Sequence, residues 1–146
     1  MSQDTITPDE YRKAQRGSKL ELAFETQLKQ LFMHRGWDID AIQREHQFCE
    51  DRQWRADFAV ALFEGGEVHA ESMGVLLIEI EGGTRQYGRH NRHDGMTGDC
   101  YKYSAASALG YTILRGTSQM VTDGTLLRMV EETLTGDLNI EDWKSP

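Results

Sequence analysis

No stretch constrains this chain more than Val75-Leu76-Leu77-Ile78-Glu79-Ile80-Glu81-Gly82-Gly83. The run Val75 to Ile80 reads as a strand buried on both faces, bounded by Gly74 and by Gly82-Gly83. Side chains alternate along a strand, so Glu79 and Glu81 leave it on the same face. Two like charges then stand together at the tip of a core strand, where loss of hydration penalises each. A divalent cation bridging them would remove both the repulsion and the desolvation cost. A metal site is therefore the favoured reading, set against a solvated strand end beside a turn.

The remaining pattern surrounds this strand with helices. Thr7-Pro8-Asp9-Glu10 has the form of a helix start, with proline at the first helical position. Gly17-Ser18 is expected to interrupt that helix, and Ser18 to cap a second one running to about Arg35, where Gly36 stops it. The apolar stripe of the second helix is Phe24, Leu28, Leu31 and Phe32, and Glu21 falls on the same stripe. Strands are expected over Ile42 to Cys49 and Gln53 to Phe63, followed by a hydrophilic loop from Gly65-Gly66 to Met73. After the buried strand, Arg85 to Thr97 reads as a polar loop and Gly98 to Leu109 as a helix stopped by Gly110. Tyr111 to Leu114 is a short strand, and Ser118 caps a last helix to Leu134. Helix, strands, buried strand, helix, strand, helix is the order of an α/β sandwich around a mixed sheet. The expected division is an N-terminal helical extension (1–17), a main domain (18–135) and an acidic C-terminal tail (136–146).

Composition sets limits. A chain of 146 residues builds one domain without disulfide or metal staples. The net charge of -8 argues against an anionic partner only if it is spread evenly, and it is not. Glu131, Glu132, Asp137, Glu141 and Asp142 crowd the C-terminal end, whereas Arg85, Arg89, Arg92 and Lys102 face only Asp94 and Asp99, with His90 and His93 adding donors. Cys49 and Cys100 lack metal-ligand spacing and suit a reduced cytoplasmic context. A polar N-terminus and the lack of a membrane-length apolar run lead to the expectation of no signal peptide and no membrane partner.

A third acid, Asp57, interrupts the strand Trp54-Arg55-Ala56-Asp57-Phe58-Ala59-Val60. Acids are depleted in strand interiors and usually need a partner there. Two adjacent strands delivering carboxylates to one edge make an oxygen-rich site suited to Mg²⁺ or Mn²⁺. Glu21 on a first helix, Asp57 in a hairpin strand and Glu79-Ile80-Glu81 resemble the PD-(D/E)XK nuclease superfamily, and in particular its small phage and bacterial members. The matching stretches, in order, are Arg44-Glu45 through Phe48, Trp54-Arg55-Ala56-Asp57-Phe58-Ala59, Glu79-Ile80-Glu81-Gly82-Gly83 and Gly88-Arg89-His90. Asp99-Cys100-Tyr101-Lys102-Tyr103 and Gly110-Tyr111-Thr112-Ile113-Leu114-Arg115 complete the set, which extends from about Ser18 to Val121. The chain departs from the usual pattern in placing Glu81 where lysine would stand, as in a minority of restriction enzymes. It also has Ala56 in place of the proline before the first acid, and His93 where related sequences often carry glycine.

The resemblance implies a restriction-endonuclease-like sandwich, a central mixed sheet flanked by helices, acting in the cytoplasm of a bacterial cell or phage-infected host. It implies metal-dependent hydrolysis of phosphodiester bonds, with DNA the favoured polymer and endonucleolytic action the favoured mode. Asp57, Glu79 and the Ile80 carbonyl would hold the cation, and Glu21 is a further or water-mediated ligand. Glu81 would orient or deprotonate the attacking water, and Lys102 would offset charge in the transition state. Arg89, His90 and Arg92 would grip the phosphate beside the cut. A homodimer is compatible with this reading, because cutting two strands with one site per chain calls for two chains. The rival from another class is a non-catalytic module of the same fold that binds nucleic acid or a protein. Other rivals fit less well. His90-Asn91-Arg92-His93 is too compact for an HNH nuclease, and His90, His93 and Cys100 lack zinc-ligand spacing.

Overall fold

The computed structural model describes residues 8–49, 52–61, 63–64, 67–68, 74–81 and 89–144; for 9–18, 63–64, 67–68 and 89–94 it describes the backbone alone. The elements are α1 (Pro8–Arg35), β1 (Ile42–Gln47), β2 (Arg55–Ala61), β3 (Phe63–Glu64), β4 (Glu67–Val68), β5 (Val75–Ile80), α2 (Arg89–Ala108), β6 (Thr112–Gly116), α3 (Ser118–Thr122) and α4 (Thr125–Thr135). Four strands form one mixed sheet in the order β1-β2-β5-β6, antiparallel except for the β5–β6 pair. Parallel neighbours need a crossover, and α2 supplies it. The chain is thus α/β, with a mixed sheet and helices, and β5 lies in the interior of the sheet as its apolar run requires.

Alternation along the strands sorts the apolar residues into two cores. Phe58 and Val60 of β2, Leu76 and Ile78 of β5 and Leu114 of β6 pack with Phe24, Leu28 and Phe32 of α1 and with Val121, Leu126, Val130 and Leu134 of α3 and α4. The opposite face is smaller: Ala59, Leu77 and Ile113 meet Ala106 of α2, with Phe48, Trp54 and Tyr111 closing the end. Phe24 and Phe58 meet edge to face, their centroids 5.3 Å apart, joining α1 to the sheet. Gly116 ends β6 where a Cβ would stand 2.6 Å from Leu126 Cδ2, so glycine is what lets α4 lie this close. Among the described residues no helix is long and apolar enough to cross a membrane.

Several boundaries differ from those expected. α1 runs unbroken from Pro8 to Arg35, so the expected interruption at Gly17-Ser18, and the 17/18 boundary with it, fall inside a helix. A glycine costs a helix interior only about 1 kcal/mol relative to alanine, too little to outweigh the turns on either side. The expected polar loop from Arg85 to Thr97 is helical from Arg89 onward. Its first turns carry no apolar stripe, which is why periodicity misses them. Part of the expected loop from Gly65 to Met73 is strand, with Glu64 paired to Glu67 and Phe63 to Val68; Gly65, Gly66 and residues 69–73 lie outside the described residues. The last helix is two. Thr117, whose side chain accepts from the Met120 N–H, caps α3 in place of Ser118, and Gly124 at φ 83 separates α3 from α4. The C-terminal segment folds back on α4, where Trp143 Nε1 and the Asn139 N–H both donate to Glu132 Oε1.

Candidate active site at the end of the central strands

The acids singled out in the sequence gather where β2 and β5 end beside α1 and α2. Glu79 closes the buried run of β5 and is only 8 % exposed, the one buried charged residue among those described. Its position opposite Arg115 in the parallel ladder directs it to the α2 face. There Lys102 Nζ donates to Oε1 at 3.2 Å and the Tyr103 hydroxyl reaches Oε2 at 3.4 Å. Glu81 follows on the same side, as alternation requires. Its N–H donates to the Gly116 carbonyl at 2.7 Å, and its Oε1 accepts from Tyr103 at 3.0 Å and from Arg115 Nε at 2.8 Å.

Asp57 reaches this place through a local irregularity. Arg44 pairs with Phe58 and His46 with Ala56, which sets Glu45 opposite Asp57. Glu45 has φ 51, an uncommon conformation for a residue other than glycine. The strand pair changes face at this point. Arg44 and Phe58 lie toward α1, with the guanidinium 5.0 Å from the ring centroid, whereas His46 packs on Tyr111 and Ala56 joins the α2-side core. Asp57, at the changeover, deals with both sides. Its Oδ2 accepts from the Ile80 N–H at 2.8 Å, it shares a hydrogen bond with Glu21 of α1, and it feels the charge of Lys102 on α2. Arg44 steadies Glu21 from β1, donating to Glu21 Oε2 at 2.8 Å and to Glu25 Oε2 at 3.4 Å.

The electrostatics follow from this crowding. Burial, and next the charge of Asp57, push the Glu79 carboxyl up from its ordinary 4.5 to about 7, against the opposing pull of Lys102. Glu21 is raised by burial and then by Asp57. Asp57 is raised by burial, although the Ile80 N–H and Glu21 favour its charged form. Burial, with Glu79 and Glu81 adding to it, raises the Tyr103 phenol too, which keeps it a hydrogen-bond donor. Three carboxyl groups from three elements thus resist ionising together, as hard-oxygen cation ligands do without their ion. Among the described residues no three His, Cys, Asp or Glu side chains stand at ligating distance from one point. Lys102 also occupies Glu79 Oε1, so a cation would have to displace it.

The structure brings together Glu21, Asp57, Glu79, Glu81, Lys102 and the Ile80 backbone. Arg89, His90 and Arg92 have helical backbones at the start of α2, but their side chains lie outside the described residues, as does His93. Helical rise sets Arg92 and Arg89 about 15 and 20 Å along the axis from Lys102. Arg115 hydrogen-bonds Glu81 and sits 4.1 Å from the Tyr103 ring centroid. Asp99 adds only a more distant charge. Sequence reasoning gave Arg44 and Tyr103 no role. Both lie within the motif stretches, Arg44 before Glu45 and Tyr103 after Lys102, and that adjacency was the available signal. Comparison of the chain with protein-family models, curated proteins and solved structures finds no match.

Proposed function

We propose that this protein is a metal-dependent nuclease that hydrolyses phosphodiester bonds, with DNA as its substrate and a restriction-endonuclease-like fold as its framework. One observation carries the reading: Glu21, Asp57 and Glu79, from a helix and two strands, meet at one end of the sheet, where Asp57 raises the proton affinity of both glutamates and a lysine sits on Glu79. Folding alone gives no reason to gather three acids at the end of a core strand. These are also the residues that the motif resemblance assigns to a metal.

Asp57 and Glu79 would hold Mg²⁺ or Mn²⁺, with Glu21 and the Ile80 carbonyl as further donors, and the bound ion would polarise the scissile phosphate and lower the pKa of an attacking water. The other roles belong to the chain itself. Lys102, which donates to Glu79 Oε1, would stand with its ammonium beside the reacting phosphate and offset charge gathering on the phosphorane-like transition state. Glu81, fixed through Oε1, orients or deprotonates the water.

The second reading, a non-catalytic module that binds nucleic acid or a protein, draws on the ion pairs. Lys102–Glu79, Arg44–Glu21 and Arg115–Glu81 leave most of the acids already matched. Cleavage of supercoiled plasmid, single-stranded circle and branched junction with Mn²⁺ or Mg²⁺ separates the two. Cutting that EDTA, Asp57→Ala and Glu79→Ala each abolish is the expected result. Binding without cutting by a folded wild-type protein favours the module.

A further inference from the structure

We propose that Tyr103 and Arg115 are positioning residues that hold Glu81 for its part in phosphodiester hydrolysis, an inference that rests on the function proposed above. Tyr103 lies on α2 and Arg115 on β6, and they meet at Glu81, just past the end of β5. Both donate to the same oxygen, Oε1, at 3.0 Å and 2.8 Å. Two donors on one carboxylate oxygen, together with the Glu81 N–H on the Gly116 carbonyl, fix both the backbone and the side chain. Among the described residues the hydrogen bonds to the Glu81 side chain fall on Oε1, and Oε2 is the oxygen that would take a proton from water.

The two donors also hold each other. The Arg115 guanidinium stacks over the Tyr103 ring, 4.1 Å from its centroid, so the phenol cannot swing away without losing a cation–π contact. The hydroxyl has one proton and two carboxylates within reach, Glu81 at 3.0 Å and Glu79 at 3.4 Å. It can serve only one at a time. Once Glu79 is engaged elsewhere, the proton belongs to Glu81. Tyr103 therefore links the residue proposed to hold the cation to the residue proposed to orient the water, a task different from that of Lys102, which donates to Glu79.

The test uses the full chain and the variants Tyr103→Phe, Arg115→Lys, Arg115→Ala and Glu81→Gln, in Mn²⁺-dependent cleavage of a plasmid or oligonucleotide that the wild type cuts. Tyr103→Phe keeps the ring and its stacking and loses only the hydroxyl. It should lower kcat by about 10-fold, the loss of one positioning hydrogen bond, and leave KM and the Mn²⁺ concentration for half-maximal rate within about 2-fold. Arg115→Ala should lose at least as much, and Arg115→Lys should recover part of it by keeping the charge. A merely structural role would lower thermal stability without this split between kcat and KM. Wild-type kcat in Tyr103→Phe and Arg115→Ala, with Glu81→Gln impaired, would overturn the clamp and leave the nuclease reading standing. A wild-type protein that cuts nothing, with no Mn²⁺-induced thermal shift, would overturn both.

Discussion

The two faces of the central sheet are built differently. On the α1, α3 and α4 side, Phe24, Leu28, Phe32, Phe58, Leu76, Ile78 and Leu126 are buried to the last few per cent, and the core is apolar as far as Arg44, which lies over Phe58. On the α2 side the core residues are small, Ala56, Ala59, Leu77 and Ala106, and the same surface runs directly into Glu79, Lys102, Tyr103, Glu81 and Arg115. The first face supplies the stability that the second gives up by burying charge. A carboxylate as covered as Glu79 persists only where the rest of the fold is strong enough to hold it.

Breaking the apolar face should have the largest effect. Phe58→Ala removes the ring that meets Phe24 and carries Arg44, and should cost about 3–5 kcal/mol in urea unfolding. A loss under about 1 kcal/mol would mean that this face is not the main source of stability.

The charged face should respond in the opposite direction. Glu79 has a carboxyl raised from 4.5 to about 7, so between those values the unfolded chain ionises while the native one keeps its proton. The native state then binds more protons, and stability falls as pH rises through that window. Below about 4.5 both states are protonated and the effect vanishes. Glu79→Gln should therefore stabilise the protein at pH 8 by about 1–3 kcal/mol, part of the gain being lost because Lys102 keeps no charged partner. At pH 4 the difference should be near zero. Unfolding curves at the two pH values check this, and a destabilised variant at pH 8 would show that the Lys102 pair outweighs the cost of burying Glu79.

The smallest effect concerns the strand pair that joins the faces. Glu45 holds φ 51 opposite Asp57, and its pair with Arg55 is long and exposed. Glu45→Gly should be neutral or stabilising by about 0.5–1 kcal/mol, whereas glycine inside an ordinary strand weakens it. A clear loss of stability would place the importance of Glu45 in its side chain.

The sequence reveals much of this contrast, but unevenly. The Phe24, Leu28 and Phe32 stripe and the run into Glu79 are legible because burial repeats with the period of each element. The common face of Glu79 and Glu81 follows from alternation alone. Asp57 was visible as an acid inside a strand, but its reach to both faces depends on the backbone of Glu45, for which local composition carries no signal. Arg44–Glu21, Tyr103–Glu81 and Arg115–Glu81 are tertiary meetings between distant segments, and no spacing rule announces them. The start of α2 is not legible because its first turns have no apolar stripe, and Gly17 marks no boundary because a glycine alone does not end a long helix.

The central claim is that the acids at the end of β2 and β5 form a cation site. Its most direct test is a titration of Mn²⁺ against the melting temperature of the wild type, Asp57→Asn and Glu79→Gln at pH 8. The melting temperature of the wild type should rise with Mn²⁺, by the equivalent of about 2.7 kcal/mol at a hundred times the dissociation constant, and that of neither variant should. Equal increments in all three proteins, or none in the wild type, would contradict the claim.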